Sequence, residues 1–230
     1  MSDIRQKLDE IRARIDAAAK RSGRTPSEVN LIAVSKVHPS SAIRQAYEAG
    51  QRHFGENYVQ ELKEKNVALA DLPDITWHFI GHLQRNKIKD VLPSKAVIQT
   101  VDSIRLIEAL ERQAAAKETS LSILIQVNVG DEAQKSGIDP TMLPTLLEAI
   151  DRSDRITAAG LMAIPPWDLE TEETRKHFAA LRRLRDRHGG AERLPHLSMG
   201  MSHDFEVAIE EGATQVRVGT AIFGMRPVKR

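Results

Sequence analysis

Short apolar runs alternate with longer helical patterns along the chain, and this alternation restricts the fold more than any other feature. Eight runs of five to nine residues have the length and composition of buried strands. They span residues 29–36, 52–57, 77–81, 96–102, 122–129, 156–164, 196–200 and 215–219. Strands separated by helices pair in parallel, because each parallel pair needs a crossover. Eight such units in 230 residues predict a closed (β/α)8 TIM-type barrel, with residues 1–230 forming a single domain.

An additional helix is predicted in front of the barrel. Ile4, Leu8, Ile11 and Ile15 recur at spacings of four, three and four residues, which places them on one helix face that ends near Gly23. The alternative fold is an open, doubly wound sheet, which usually carries a G-x-G-x-x-G turn after its first strand. The sequence at that point is SKVHPS, so the usual signature of the alternative is missing.

Composition excludes several classes of function. The chain has 33 basic and 32 acidic side chains, and this balance lacks the concentrated basic field that nucleic-acid binding needs. Without cysteine there are no disulfides, thiolate nucleophiles or thiolate metal ligands. No stretch approaches the length of a membrane span, and the N-terminus lacks the apolar core of a signal peptide. We therefore expect a cytoplasmic, monomeric protein with neither a nucleic-acid nor a membrane partner.

The first predicted strand ends in a lysine, Lys36, within the stretch LIAVSKVHP. Active sites of (β/α)8 barrels lie at the C-terminal ends of the strands. A lysine held in a pocket at such an end is an amine nucleophile that forms Schiff bases. The alternative is a lysine whose charged end simply reaches water where the strand leaves the core. The other strand ends must decide between these two interpretations.

The ends of strands seven and eight predict a phosphate site. Ser198 and Gly200 follow strand seven, and Gly219 and Thr220 follow strand eight. Barrels often bind phosphate with these two loops, where glycine admits an anion to the backbone and hydroxyls donate hydrogen bonds. Two ordinary turns are the alternative. A phosphate site beside Lys36 suits a phosphorylated aldehyde, and pyridoxal 5′-phosphate (PLP) is the obvious candidate.

Arg217 is predicted to point into the barrel, because it lies two residues before Gly219 on strand eight. An unpaired charge in an apolar interior is costly, so this arginine needs a partner. The pyridine nitrogen of PLP is one candidate, and the carboxylate of Glu56 is the other.

Three further features have both functional and structural interpretations. His78 and His82 stand four residues apart, but they fall in a strand and the loop after it, so we predict no metal site and place His82 at the pocket rim. The loop at residues 130–137, which contains Lys135, is either a lid or second contact for the ligand or a plain polar loop. Trp167 either covers the cofactor or anchors its loop.

Seven motifs together resemble the pyridoxal phosphate homeostasis proteins, also called the YggS or proline-synthetase co-transcribed group. They are AVSK (33–36), FGENYVQE (54–61), HFIGHLQRNK (78–87), QKSG (134–137), GLMAI (160–164), LSMGMSHDF (197–205) and VRVGTAIFG (216–224). The resemblance covers almost the whole chain. It implies a fold like the alanine racemase N-terminal barrel, in which Lys36 holds PLP as an internal aldimine.

The resemblance also implies a set of cofactor-binding residues and a function. In addition to Lys36, the residues are Ser198, Gly219 and Thr220 at the phosphate, Arg217 at the pyridine nitrogen, and Asn57 and Met199 lining the pocket. The implied function is PLP binding in vitamin B6 homeostasis without established turnover, so no catalytic residue is assigned. The implied partners are PLP, other B6 vitamers and, transiently, PLP-dependent apoenzymes.

Three alternatives remain open from the sequence. The first is a PLP-dependent amino-acid racemase with Lys36 as one base. Tyr58 is its only plausible second base, because about ten residues follow strand eight and we expect no second domain to supply one. The second is a Schiff-base aldolase that acts on a phosphorylated substrate without a cofactor. The third is an interaction protein that has lost its ligand.

Overall fold

Eight parallel strands form a closed barrel in the computed structural model, which describes residues 3–130, 136–166 and 169–225. The strands are β1 (Asn30–Val34), β2 (His53–Glu56), β3 (Thr76–Phe79), β4 (Val97–Val101), β5 (Leu121–Gln126), β6 (Ile156–Met162), β7 (His196–Ser198) and β8 (Gln215–Val218). Each strand pairs with the next in the sequence, and β8 pairs with β1 to close the barrel. The predicted fold is confirmed.

Helices surround the barrel and cover its outer face. They are α1 (Asp3–Arg21), α2 (Ser40–Glu48), α3 (Val59–Ala68), α4 (Ile88–Val91), α5 (Ile104–Ala116), α6 (Leu143–Asp151), α7 (Thr171–Arg187), α8 (Gly190–Arg193), α9 (Phe205–Glu210) and α10 (Thr220–Phe223). Apolar side chains of these helices and of the outward strand positions form one large core cluster between the two layers. No helix within the described ranges is long and apolar enough to cross a membrane.

The predicted opening helix forms and packs on the flank of the barrel. Leu8, Ile11 and Ile15 are buried, and Arg21 of α1 donates to the carboxylate of Glu210 on α9. Up to residue 225, the helix that follows β8 is the four-residue α10, and α1 packs beside it in contact with α9 and α2.

All eight strands end one to three residues earlier than the sequence predicts. The regular strands end at the barrel rim, whereas the apolar pattern of the sequence continues into the loops. Lys36 and Asn57 therefore lie in loops just beyond the last paired residues of β1 and β2. This position is the C-terminal rim, where functional residues of such barrels are found.

Candidate functional site

The C-terminal ends of β7, β8, β1 and β2 adjoin one another at the barrel rim. The end of β1 and the loop after it contact the segment after β8 at two points. A Cβ atom added to Gly219 would lie 3.1 Å from the carbonyl oxygen of Val34, so the backbones approach closely there. The ring of His38 lies 5.2 Å from the ring of Phe223 on α10, measured between centroids. The lysine loop and the Gly219–Thr220 segment are therefore packed side by side.

Lys36 lies two residues after the end of β1 and is half-buried. The preceding residue, Ser35, donates its backbone N–H to the carbonyl oxygen of Gly55 on β2 over 3.0 Å. Since Asn57 follows Gly55 by two residues, Lys36 and Asn57 are at the same level on neighbouring chain segments. The structure thus brings these two predicted residues together.

Asn57 has an unsatisfied polar atom at this rim. Its side-chain oxygen Oδ1 is buried and has no hydrogen-bond partner. Its backbone is held closely by the next loop, because a Cβ atom on Gly81 would lie 1.9 Å from the Asn57 carbonyl oxygen. A buried acceptor without a donor is costly in a native structure, so a donor from a bound molecule is expected at this position.

Arg217 points into the barrel interior and is buried, as predicted. Its Nη1 donates to Oγ of Ser198 over 2.7 Å, and its Nη2 donates to the carbonyl oxygen of Ala163 over 3.0 Å. Burial lowers the pKa of Arg217 to about 10, and the carboxylate of Asp204 partly opposes this shift. The side chain therefore remains a cation at neutral pH.

The alternative prediction, that the carboxylate of Glu56 pairs with Arg217, is wrong. One carboxylate oxygen of Glu56 is bound instead by Nζ of Lys65 over 2.8 Å and by the hydroxyl of Ser35 over 2.6 Å. Within the described residues, no carboxylate forms an ion pair with Arg217. Both of its described hydrogen bonds go to neutral acceptors, and three of its five N–H groups remain for other acceptors.

A chain of buried hydrogen bonds continues from Arg217 across the barrel. The hydroxyl of Ser198 donates to Oε1 of Gln99 over 2.7 Å. The amide nitrogen of Gln99 donates to Gln215 and to Nδ1 of His78. Because Nδ1 accepts, neutral His78 carries its hydrogen on Nε2, which lies 3.0 Å from Nδ1 of His53. Because the guanidinium of Arg217 can only donate, the donor and the acceptor of each hydrogen bond in this series are fixed.

The residues predicted to bind phosphate fall into two environments. Gly219 is half-buried and Thr220 is exposed at the rim, and Gly219 begins α10 as its N-cap. Ser198 lies deeper in the barrel and is fully buried, and its hydroxyl belongs to the series of hydrogen bonds that begins at Arg217. Met199 is also fully buried in the core, and its backbone N–H donates to the carbonyl oxygen of Gln215. Gly219 and Thr220 are thus open to a ligand, whereas Ser198 and Met199 support the rim from within.

The loop after β7 is shaped by a glycine and a carboxylate. Gly200 has φ +91, and a Cβ atom there would lie 2.6 Å from the Cβ atom of Ala208, so a larger residue does not fit. Oδ1 of Asp204 accepts from the backbone N–H of Met201 over 2.6 Å. The helix α9 begins at Phe205, directly after this carboxylate.

Two cavities with shared lining residues lie at this rim, and Lys36 lines neither of them. The smaller, of about 310 Å³, is lined by Asn57, Tyr58, His82 and other residues of these loops. The larger, of about 580 Å³, shares His82 with it and continues to Arg85 and Arg105. His82 is therefore at a cavity rim, whereas His78 is buried inside the barrel. Among the described residues, no group of three or more metal-ligating side chains could hold a metal ion.

Part of the predicted site lies outside the described residues. This applies to residues 131–135 of the loop at 130–137, including Lys135, and to Trp167. Their interpretation as a lid or a cover remains a prediction.

Comparisons with known proteins agree with the fold and identify the family. The family model of the alanine racemase N-terminal domain matches residues 6–227. A pyridoxal phosphate homeostasis protein of Pseudomonas aeruginosa is 45% identical over 227 residues, which cover 98% of this chain and 97% of that protein. The protein of the same name from Aquifex aeolicus is 43% identical and covers 96% and 97%. This chain belongs to the pyridoxal phosphate homeostasis protein family.

Solved structures place the family within a larger fold group. The structure of PipY from Synechococcus elongatus with PLP bound is 42% identical, has a TM-score of 0.83, and covers 96% of this chain and all of that one. An alanine racemase of Clostridium difficile is 13% identical with a TM-score of 0.74, and the match covers 99% of this chain and 58% of the racemase. The second likeness shows a shared fold alone.

Several residues of the site were not singled out from the sequence. Gln99 is one of them. It lies between Ile98 and Thr100 in an apolar run, and a polar residue within a predicted strand was a signal that could have pointed to it. Glu61 and Lys65 are two more, and their spacing of four residues on a helix indicated only an ordinary surface pair. Their burial depends on which face of α3 meets the barrel.

Proposed function

We propose that this protein binds PLP at the ends of β7, β8, β1 and β2 and holds it through Lys36 as part of vitamin B6 homeostasis. The observation that supports this proposal most directly is the packing of the Lys36 loop against the Gly219–Thr220 segment. This packing supports a site in which the Lys36 amine meets the aldehyde while Gly219 and Thr220 hold the phosphate, the two ends of a phosphorylated aldehyde. The PLP-bound structure of the 42% identical PipY supports the same ligand.

The described residues suit PLP at several points. Gly219 is only half-buried at the rim, and the exposed hydroxyl of Thr220 next to it is available to donate a hydrogen bond to the phosphate. The unsatisfied Oδ1 of Asn57 accepts a hydrogen bond from the ligand. When bound, PLP supplies an aldehyde carbon for an amine and a ring that can accept electron density. Lys36 supplies the amine.

We further propose that the protein does not turn over a substrate. Arg217 keeps its proton at neutral pH and donates to the pyridine nitrogen with an N–H group not used by Ser198 or Ala163. A donor at this nitrogen disfavours its protonation, so the ring is a weak electron sink. Storage and release of the cofactor require only the attachment at Lys36.

An absorbance experiment tests ligand and attachment point together. The protein loaded with PLP and passed through a desalting column should retain one equivalent with a visible absorption band. Lys36→Ala should lose the band, while Lys117→Ala, which removes an exposed lysine, should keep it. A wild-type protein that retains no PLP, or a Lys36→Ala protein with the same band, would contradict the proposal.

A PLP-dependent racemase is the second candidate, because the barrel is shared with alanine racemase. Tyr58 is the residue that favours it: it is 54% exposed and lines the cavity that begins at Asn57. Isotope exchange at the α-carbon of D- and L-amino acids measures this reaction. Sustained exchange that Tyr58→Phe abolishes would establish the racemase and overturn the non-catalytic proposal.

Delivery of the cofactor completes the proposal. We propose that a cytoplasmic monomer passes PLP to apoenzymes through transient contacts. Light scattering should give the mass of one chain. A PLP-dependent apoenzyme should regain activity faster from the loaded protein than from the same concentration of free PLP in the presence of a PLP-trapping amine. Equal rates would show that the cofactor passes through solution.

A further inference from the structure

The turn that carries Lys36 contains a strained residue. Val37 has a positive φ of 62°, a conformation that is rare and unfavourable for a β-branched side chain. Such a conformation persists only where its surroundings impose it, and it is concentrated at functional sites. The groups that impose it on Val37 are therefore relevant to the amine next to it.

Helix α3 holds the backbone on both sides of Lys36. Oε2 of Glu61 accepts from the backbone N–H of Val37 over 2.7 Å. Nζ of Lys65 donates to the carbonyl oxygen of Ser35 over 2.8 Å. The two side chains are one helical turn apart and are joined to each other by a third hydrogen bond of 2.8 Å. The peptide segment from Ser35 to Val37 is thus bound at both ends by a single, internally linked pair.

Lys65 uses all its hydrogen-bonding capacity in this arrangement. Its side chain is only 7% exposed, and its three donors go to Ser35, Glu61 and Oε1 of Glu56. An ammonium whose three N–H groups all donate to fixed acceptors is not free to act as a nucleophile. Two lysines are therefore found where β1 and β2 face α3. Lys36 lies in the turn at the rim, and Lys65 is held by its three hydrogen bonds.

The residue before Lys36 is anchored as well. The hydroxyl of Ser35 is bound to Glu56 on the outer, α3 side of the barrel. The turn that contains Lys36 is therefore fixed against α3 by both a side chain and the backbone.

We propose that Glu61 and Lys65 are positioning residues that aim the Lys36 amine at the aldehyde of PLP. The inference rests on the proposed PLP binding and gives two groups of residues different roles in it. The rim residues hold the phosphate and ring, whereas Glu61 and Lys65 determine how readily the amine reaches the aldehyde carbon.

Two ligands separate these contributions. PLP has the aldehyde, whereas pyridoxamine 5′-phosphate has the same ring and phosphate without it. We expect Glu61→Gln and Lys65→Met to slow the appearance of the PLP absorption band by about 10- to 100-fold, because small misplacements of reacting groups have effects of this size. Their affinity for pyridoxamine 5′-phosphate should stay within about threefold of wild type, a change below 1 kcal/mol.

Matched controls are available on the same helix. Glu64→Gln and Lys63→Met change exposed side chains of α3 in the same way and should leave both readouts unchanged. Circular dichroism establishes which variants are folded. If Lys65→Met fails to fold, Glu61→Gln decides the matter, since its neutral amide holds the N–H of Val37 and the Nζ of Lys65 more weakly than the carboxylate does.

The outcomes distinguish this inference from the proposal on which it rests. A wild-type protein without a PLP band overturns the proposed function itself. A wild-type band that forms at the same rate in Glu61→Gln overturns the positioning role alone. Parallel loss of both ligands in folded variants also overturns it, because the pair would then shape the pocket and not the lysine turn.

Discussion

Ser198 accepts a hydrogen bond from Nη1 of Arg217 over 2.7 Å inside the barrel, and it donates its own hydrogen to Gln99. The hydroxyl that the sequence suggested for phosphate binding is therefore engaged on both sides. It links the cation proposed to face the pyridine nitrogen to the buried chain that continues to His78 and His53. The exposed hydroxyl at the rim belongs to Thr220.

This relationship predicts that Ser198→Ala destabilises the protein. Removal of the hydroxyl leaves Nη1 of Arg217 without its acceptor and Oε1 of Gln99 without its donor, both in the buried interior. We expect the free energy of unfolding to fall by about 1–3 kcal/mol, as measured by urea denaturation without ligand. Ser122→Ala removes an exposed hydroxyl from β5 and should have almost no effect. Equal losses in the two variants would contradict the burial argument.

Thr220→Val should weaken PLP binding without changing stability. The variant keeps the shape of the side chain and removes a hydroxyl that is exposed in the free protein. A hydrogen bond to a charged phosphate contributes about 1.5–3 kcal/mol, so the dissociation constant should rise roughly 10- to 100-fold. Fluorescence titration measures the change. Thr157→Val, an exposed substitution on β6, is the control, and an unchanged Thr220→Val affinity would remove this residue from the phosphate site.

Gly81→Ala should disrupt both stability and PLP binding. The added Cβ atom would lie 1.9 Å from the carbonyl oxygen of Asn57, so the loop that presents the unsatisfied Asn57 side chain must move. Gly190 has open space around it but a φ of +63, so Gly190→Ala measures the conformational cost alone, about 1 kcal/mol. Thermal unfolding and PLP titration of the two variants should show the larger stability loss, and any affinity loss, for Gly81→Ala only.

The barrel could be predicted from the sequence because its evidence is local. Each strand and helix carries its own apolar pattern and end signals, and the alternation of the two leaves few topologies. The position of Lys36 follows as well, since the C-terminal rim of a barrel is a rule of the fold. The inward direction of Arg217 needed only the alternation of residues along one strand.

The partners of these residues could not be predicted in the same way. Ser198 meets Gln99 from a strand 99 residues earlier in the sequence, through the interior of a closed barrel. Lys65 reaches Ser35 only because α3 turns that face toward β1 and β2. Such contacts depend on the rotation of each element about its axis. The apolar pattern shows which face of an element is buried, but it does not fix the rotation finely enough to assign individual hydrogen bonds.

The buried histidines predict that the protein loses stability as the pH falls. Burial lowers the pKa of His78 to about 3, with smaller contributions from His53 and His196, and burial also lowers the pKa of those two side chains. In the unfolded chain a histidine titrates near 6.5, so below that pH the unfolded state binds more protons than the folded state. Stability should be independent of these groups above pH 6.5. It should fall by roughly 1 kcal/mol per pH unit for each of them as the pH drops toward its folded pKa.

Variants of two histidines test this origin of the pH dependence by urea denaturation between pH 5 and pH 8. His78→Gln should be less stable than wild type at pH 8, because it perturbs the bonds to Gln99 and His53. Between pH 6.5 and pH 5 it should nevertheless lose stability less steeply, since one titrating group is gone. His82→Gln changes an exposed histidine and should retain the wild-type slope. If His78→Gln also keeps that slope, the acid sensitivity arises elsewhere than in the buried chain.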